Sequence, residues 1–432
     1  GADVLGSRSV AVGRAALTNQ NFTTATETYN VAVGYSAGGA ITTGIRQTAL
    51  GGLALDADTQ GRRSTAIGFQ TLSTQNFTTA TDAYNTAVGC EAGASVTTGT
   101  FNTLIGGLSG DALIDADYNT GLGYLALSAD TLGSNSVAVG AFALRDQNFT
   151  TATDSFNTAV GYNAGGDLTT GDRTTLVGGL AGDSITTADG NTAVGYEALT
   201  SETGGELSVA VGFRALRAQN VGSGTNSNTA IGAQAGEAVT TGIKNTLIGG
   251  QAGDSITTGS NNVIVGVDSA AAAVNNDNII VLGQAVTSTG SGNFTFGFST
   301  TDSNIAAGAT TITAPSDERY KEEIADASAG LSFINDLRPV TYKWKKEKDI
   351  PTTQRAYVEG SEKRVMNDYT NHGFVAQEVK AVIDAHPEIK DGFDMWMEDE
   401  LDGRQRLGPS ALIPLLVKAI QELTARVAAL ES

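Results

Sequence analysis

The chain has little of what usually holds a globular protein together. It carries one cysteine, Cys90, in 432 residues, which excludes an internal disulfide framework. Aromatic residues make up 6% and charged residues 17%, the latter below the roughly 25% of an average domain. No apolar run approaches the ~20 residues of a membrane-spanning helix. The opening GADVLGSRSV has no basic-then-apolar leader pattern, so membrane insertion is not expected. The first residue is glycine rather than methionine, which fits a processed or excised piece. Basic residues are also scarce, 26 against 46 acidic, for a net charge of −20. Ten basic and 24 acidic residues lie up to Pro315, and 16 and 22 follow from Ser316. So acidic a surface repels nucleic acid and anionic lipid, and neither is expected as a partner. Two histidines and one cysteine do not make a zinc site, and no metal or other cofactor is expected.

What the chain does have is repetition. A five-residue core, polar–apolar–Ala–apolar–Gly, occurs as SVAVG, NVAVG, STAIG, NTAVG and NTLIG. Its terminal glycines are Gly13, Gly34, Gly51, Gly68, Gly89, Gly106, Gly123, Gly140, Gly161, Gly178, Gly195, Gly212, Gly232, Gly249 and Gly266, fifteen copies. The spacing is 17 residues, with three or four inserted at intervals. The insertion is itself repeated as QNFTTATETYN, QNFTTATDAYN and QNFTTATDSFN, then diverges to QNVGSGTNSN. Gly68, Gly140 and Gly212 are each 72 apart, so a four-unit block recurs as a block.

Each core alternates with period 2, which is strand patterning. The larger row, Val10 and Val12, is expected to fill the inside of a coil, leaving Ala11 and Gly13 on a flat outer face that another backbone can approach. A 17-residue unit cannot bury its own face, whereas stacked units build a continuous core. Residues 1–283 therefore read as a β-solenoid, with TTG turns at Thr97–Gly99, Thr169–Gly171 and Thr240–Gly242. Fifteen coils at the strand spacing make a rod of roughly 70 Å. Such a thin core invites company. The repeats resemble the head repeats of trimeric autotransporter adhesins, left-handed β-rolls packed three around an axis, and the NTAVGYNAG type of phage fibres. A homotrimer is what the resemblance implies; a monomeric solenoid is the alternative.

Residues 284–315 read as a β-rich neck. Beyond it the composition changes. SDERYKEEI, LRPVTYKW, HGFVAQEV and LIPLLVKAIQEL, between residues 316 and 432, together resemble the C-terminal intramolecular chaperone of phage endosialidases, tailspikes and fibres. The resemblance implies a domain that trimerises, holds three chains in register while the upstream β-structure forms, and then removes itself by Ser/Lys autoproteolysis. It places the serine at Ser316 and the lysine at Lys321, with Pro315, Ser316 and Asp317 flanking the cut. A serine hydroxyl needs a base to take its proton, and a lysine serves only when neutral, which burial or a nearby cation promotes. Asp317, Glu318, Glu322 and Glu323 work against that. The dyad is therefore expected to stay idle until assembly desolvates the lysine. Attack by Ser316 on the Pro315 carbonyl passes through a five-membered ring and attack on its own carbonyl through a four-membered one. Across a trimer either flank is within reach, so the cut is placed next to Ser316 without choosing the bond.

Further along, His372 lies in the HGFVAQEV motif, as a candidate to orient the dyad or stabilise an oxyanion, or as a structural hydrogen-bonding residue. His386, before Pro387, reads as a helix-end residue. In the helix expected over 410–431, Ile413, Leu416, Ile420, Leu423, Val427 and Leu430 are spaced 3, 4, 3, 4, 3, a heptad seam for a terminal trimer clamp. A helix packed on its own domain is the alternative. The polar stretch from Lys345 to Asn371 reads as an arm gripping the neck.

Other signals read more plainly. Asp111, Asp183 and Asp254 lie in a G-G-x-x-G-D spacing rather than a calcium-binding roll pattern, so they are taken as turn aspartates. The sequons at Asn21, Asn76 and Asn148 mark polar turns. Arg14, Arg62, Arg63, Arg214 and Arg217 are read as solvated surface. Phe22, Phe77 and Phe149, at the repeated insertions, are the receptor-binding candidates, expected exposed or half exposed; packing of the loop onto the coil is the equal alternative. The fold class is thus mainly β: a homotrimeric β-roll or β-solenoid, a β-rich neck, and an α+β chaperone ending in a coiled-coil helix. The expected protein is a phage tail fibre in the virion, made in the host cytoplasm. Its partners would be a host cell-surface glycan or protein receptor and other tail proteins. A polysaccharide-degrading tailspike and a bacterial surface adhesin are the alternatives.

Overall fold

The computed structural model describes residues 5–389, 393–399 and 403–431. The chain divides into two compact units, Gly1–Pro315 and Ser316–Ser432.

The first unit is mainly a β-solenoid. Three-residue strands repeat from Val10–Val12 to Val263–Val265. Two longer strands, Ile280–Gln284 and Phe294–Phe298, extend the same parallel ladder. Each pairs in register with the strand one coil away, as Thr86↔Thr103 and Thr103↔Thr120. The ladder is open, since Val10–Val12 pairs only with Val31–Val33 and the far end turns back in an antiparallel strand, Thr301–Ile305. The solenoid pairing thus runs past 283 into the stretch read as neck. No proline occurs before Pro315, as a ladder that uses its backbone donors requires.

The inside and outside of the coil are the reverse of the expectation for Val10 and Val12. Those two are 49% and 56% exposed, while the middle residues Ala32, Ala66, Ala138 and Ala210 are fully buried. The reason is volume. Turn residues such as Ile41, Leu55, Leu72, Leu127 and Leu199 also point inward and are fully buried, so the narrow cross-section has room only for alanine on the strand. Where the strand does carry leucine, the turns give way: a Cβ on Gly93 or Gly110 would strike the Leu104 side chain, and one on Gly165 or Gly182 would strike Leu176. Large and small residues exchange places at near-constant packing.

The polar residue opening each core after the first is also buried, and forms a ladder. Asn85 Nδ2 donates to the Gly99 carbonyl at 2.7 Å, while Asn85 Oδ1 accepts the Asn102 N–H at 2.9 Å. Asn102 repeats this with Ala116 and Asn119, and Asn119 with Gly133 and Ser136. Each amide thus satisfies one orphan carbonyl in a turn and one orphan N–H in the next coil, which a buried backbone demands. The core-ending glycines have φ of +127° to +147°. A Cβ on Gly89 would run into the Gly106 carbonyl, so only glycine permits the coil spacing there.

The insertions have a structural task. Asp58 and Asp130 are fully buried. Gln75 Nε2 donates to Asp58 Oδ2 at 2.8 Å and the Phe77 N–H to Asp58 Oδ1 at 3.2 Å. Gln147 and the Phe149 N–H meet Asp130 the same way, and the Gly133 N–H adds a third donor. Burial still pushes the Asp130 carboxyl above the ordinary range. Phe22, Phe77 and Phe149 are only 7%, 6% and 7% exposed. Of the two readings of these rings, burial excludes exposure and agrees with the other: the apolar ring anchors the inserted loop to the coil.

The second unit is α+β. Helices α1 (Leu331–Asp336), α2 (Ala376–Ala385) and α3 (Leu412–Glu431) pack with Ala329, Phe333, Val379, Ile383, Met395, Leu412 and Leu415 as their core. Two antiparallel strand pairs, Val340–Tyr342 with Asn371–Gly373 and Trp396–Glu398 with Gln405–Leu407, complete it. Glu422 of α3 accepts the Leu331 N–H at the start of α1, where a carboxylate is favoured.

Candidate functional site

Ser316 and Lys321 are joined by local structure. Asp317 caps a single 3-10 turn, Glu318–Tyr320, and the Lys321 N–H closes it on the Glu318 carbonyl at 3.0 Å. At about 2 Å of rise per residue this turn folds position 321 back over 316. Lys321 Nζ donates to Ser316 Oγ at 2.7 Å, within reach for proton transfer between a nucleophile and its base. Both side chains are exposed.

Arg319 is the residue that sequence reasoning missed. Its Nε and Nη2 hold Asp317 at 3.0 and 2.6 Å, and its backbone N–H adds a bond to the same carboxylate. These bonds hold the Asp317 carboxyl below its usual range. The carboxylate next to the serine is thereby turned to arginine and away from the lysine. An S-D-x-R spacing ahead of the lysine was the available signal.

His372 is not gathered to the dyad. It sits exposed on the strand Asn371–Gly373, opposite Thr341, and lines a groove with Tyr342, Trp344 and Phe374 that includes neither Ser316 nor Lys321. His386 caps the end of α2 and is held between two carboxylates, Nδ1 to Glu388 and Nε2 to Asp336, each at 2.9 Å. These bonds raise its pKa above the ordinary histidine value. In the polar stretch from Lys345 to Asn371, Lys346 and Lys348 both pair with Glu362, closing a loop on itself.

The heptad residues lie on one bare stripe of α3. Ile413, Leu416, Ile420, Leu423, Val427 and Leu430 are between 42% and 87% exposed. The neighbouring face, Leu412, Leu415 and Ala419, about 100° round the helix, is the one that packs on the unit's own core, 5–6% exposed. On the solenoid, the outward strand rows carry Val12, Val31, Leu50, Leu122, Val160, Ile231, Ile248, Ile280 and Leu282, all exposed. The turn aspartates Asp111 and Asp183 are half-buried, with their carboxyls raised by burial. Among the described residues no cluster of three acidic, histidine or cysteine side chains fit for a metal occurs, and no helix is long and apolar enough to cross a membrane.

Residues 316–386 match the Peptidase_S74 family, chaperone of endosialidase. The match opens at the dyad serine and spans three of the four tail motifs, while LIPLLVKAIQEL falls beyond it. No curated protein and no solved structure matches the chain. The fold is thus a β-solenoid followed by a unit whose first part matches the endosialidase-chaperone family.

Proposed function

We propose that this chain is a homotrimeric phage tail fibre whose second unit aligns three chains, assists their β-structure, and then cuts itself off next to Ser316. The observation that carries the reading is the 2.7 Å contact between Lys321 Nζ and Ser316 Oγ at the border of the two units, where the chaperone-family match begins. In the reaction, neutral Lys321 takes the Ser316 proton as Oγ attacks the carbonyl next to it, and returns that proton to the amide nitrogen as the C–N bond breaks. The acyl group moves to oxygen, and water releases it.

Two bare apolar surfaces support the trimer. The α3 seam repeats every 3.5 residues on a face turned from its own core, as coiled-coil knobs require. The outward solenoid strand rows carry no charged side chain from Val10 to Leu282, in a chain of net charge −20. The first position of these strands is mostly threonine, but the third is Val, Leu or Ile throughout, as in Val12, Leu50, Leu122 and Ile231, and an exposed apolar stripe along the coils suits an interface. The released product would be the shaft, with the host-binding role falling to it.

Mass spectrometry of the wild-type chain beside Ser316→Ala after expression tests the cleavage. Wild type is expected as two fragments divided next to Ser316 and the variant as one intact chain. An uncut wild type, or a cut variant, defeats the reading.

A further inference from the structure

The one basic region of this acidic chain borders a groove. Residues 338–364 carry eight basic and four acidic side chains. Two adjoining cavities of about 760 Å³ each open here and share Trp344, Ala376, Gln377, Gln405 and Arg406. One end is floored by Phe374, Leu407 and Pro409, and the other by Ile350 and Met366. Lys345, Arg404, Arg406 and His372 stand around it, and among the described residues no carboxylate lines it. Asp399 pairs with both arginines and offsets one of their charges. Lys345 is exposed and has no ion pair among the described residues. Such a groove suits an acidic peptide with apolar anchors.

The chain contains such a peptide. Residues 316–326 hold five acidic and two basic side chains. Within that acidic run Tyr320 is 80% and Ile324 64% exposed, large apolar groups with nothing covering them. They lie four residues apart, about 13 Å if extended.

We propose that this groove receives the Ser316–Ile324 segment of a neighbouring copy of the chain, Tyr320 in one cavity and Ile324 in the other, with its carboxylates toward Lys345 and Arg406. The proposal rests on the homotrimer reading above, in which three grooves meet three segments. Within one chain the segment lies outside its groove, since neither Ser316 nor Lys321 lines it. Docking removes water from around Lys321, which is exposed in the single chain, and so ties the cutting chemistry to assembly. It also brings the dyad to the neighbour's His372 side of the groove.

The test is photo-cross-linking in the full chain carrying Ser316→Ala, which keeps it intact, with p-benzoylphenylalanine at position 320. Isotope-labelled and unlabelled chains are mixed before assembly so that links within and between chains are told apart by mass. The expected products join position 320 to residues 342–366 or 403–409 of another chain. Lys345→Glu in the same background is expected to lower their yield about fivefold while sedimentation still reports a trimer. Links confined to the same chain, or to another surface, in a protein that sediments as a trimer overturn the docking and leave the assembly reading standing. A protein that sediments as a single chain overturns both.

Discussion

Arg319 engages Asp317 through side chain and backbone together, with Nη2 at 2.6 Å and the N–H at 2.9 Å, and Lys321 is left to donate to Ser316. A carboxylate beside the serine would otherwise compete for the lysine and hold its proton. Arg319→Ala should therefore slow self-cleavage, on the order of tenfold given what a positioned base contributes. Arg319→Ala combined with Asp317→Asn should recover most of the rate. A time course of intact mass after purification reads both, and equal rates for Arg319→Ala and wild type would refute the arrangement.

The two faces of α3 predict opposite failures. Ile420→Glu puts a charge on the bare seam, at a residue 64% exposed, so the second unit should fold and the chains should stay apart. Leu415→Ala instead opens a cavity behind a residue 6% exposed and should cost about 2–5 kcal/mol of the unit's stability. Sedimentation distinguishes the first outcome and thermal unfolding the second. Ile420→Glu chains that still assemble normally would remove the seam from the account.

Much of this was legible in the residues. The 17-residue period, the insertions recurring every four units from Gly68 onward, the change of text at Ser316 and the heptad from Ile413 to Leu430 all follow from spacing. Which row of the strand faces inward did not. Alternation separates two faces without saying which is buried, and the larger valines looked like core until turn leucines such as Leu55 and Leu72 claimed the space. The insertion phenylalanines are ambiguous in sequence for a related reason. Phe77 and Gln75 look like a loop tip until coil stacking brings Asp58, 17 to 19 residues earlier, beneath them. Arg319 escaped notice because its partner is set by a 3-10 turn, which three residues of sequence barely signal.

The buried asparagine ladder makes a sharp prediction. In Asn102→Ala the Ala116 carbonyl loses the Nδ2 that reaches it at 2.7 Å, and the Asn119 N–H loses Oδ1 at 2.9 Å. Neither group is open to water, and each buried polar group left unpaired costs about 1–3 kcal/mol. The solenoid should therefore lose about 2–6 kcal/mol, read as a lower denaturant midpoint. Thr103→Ala, one residue on and facing outward, serves as the control and should shift the midpoint little. Similar midpoints for the two variants would mean that the ladder is ornamental.

Two groups should each make acidity stabilising within its own window, His386 in the second unit and Asp130 in the solenoid, whereas exposed carboxylates such as Glu362 and Asp399, held low by their basic partners, act the other way at the acid end. His386 has its pKa raised by Glu388 and Asp336, so its contribution is fully present below the ordinary value of 6.5 and is lost as pH climbs through the higher folded value. The buried carboxyl of Asp130, raised from 3.8 chiefly by desolvation, has the same sign: the folded state binds the proton more readily, so stability falls as pH rises from 3.8 through the folded value. The two windows differ, which lets one experiment separate them. Unfolding followed from pH 4 to pH 8 should show the solenoid weakening at the acid end and the second unit weakening near and above neutrality. His386→Gln should flatten only the second change, because glutamine keeps hydrogen-bonding capacity without a titratable proton. A second unit that grows more stable between pH 6 and pH 8, or a His386→Gln chain with the wild-type profile, would show that the clamp between Asp336 and Glu388 does not govern its response.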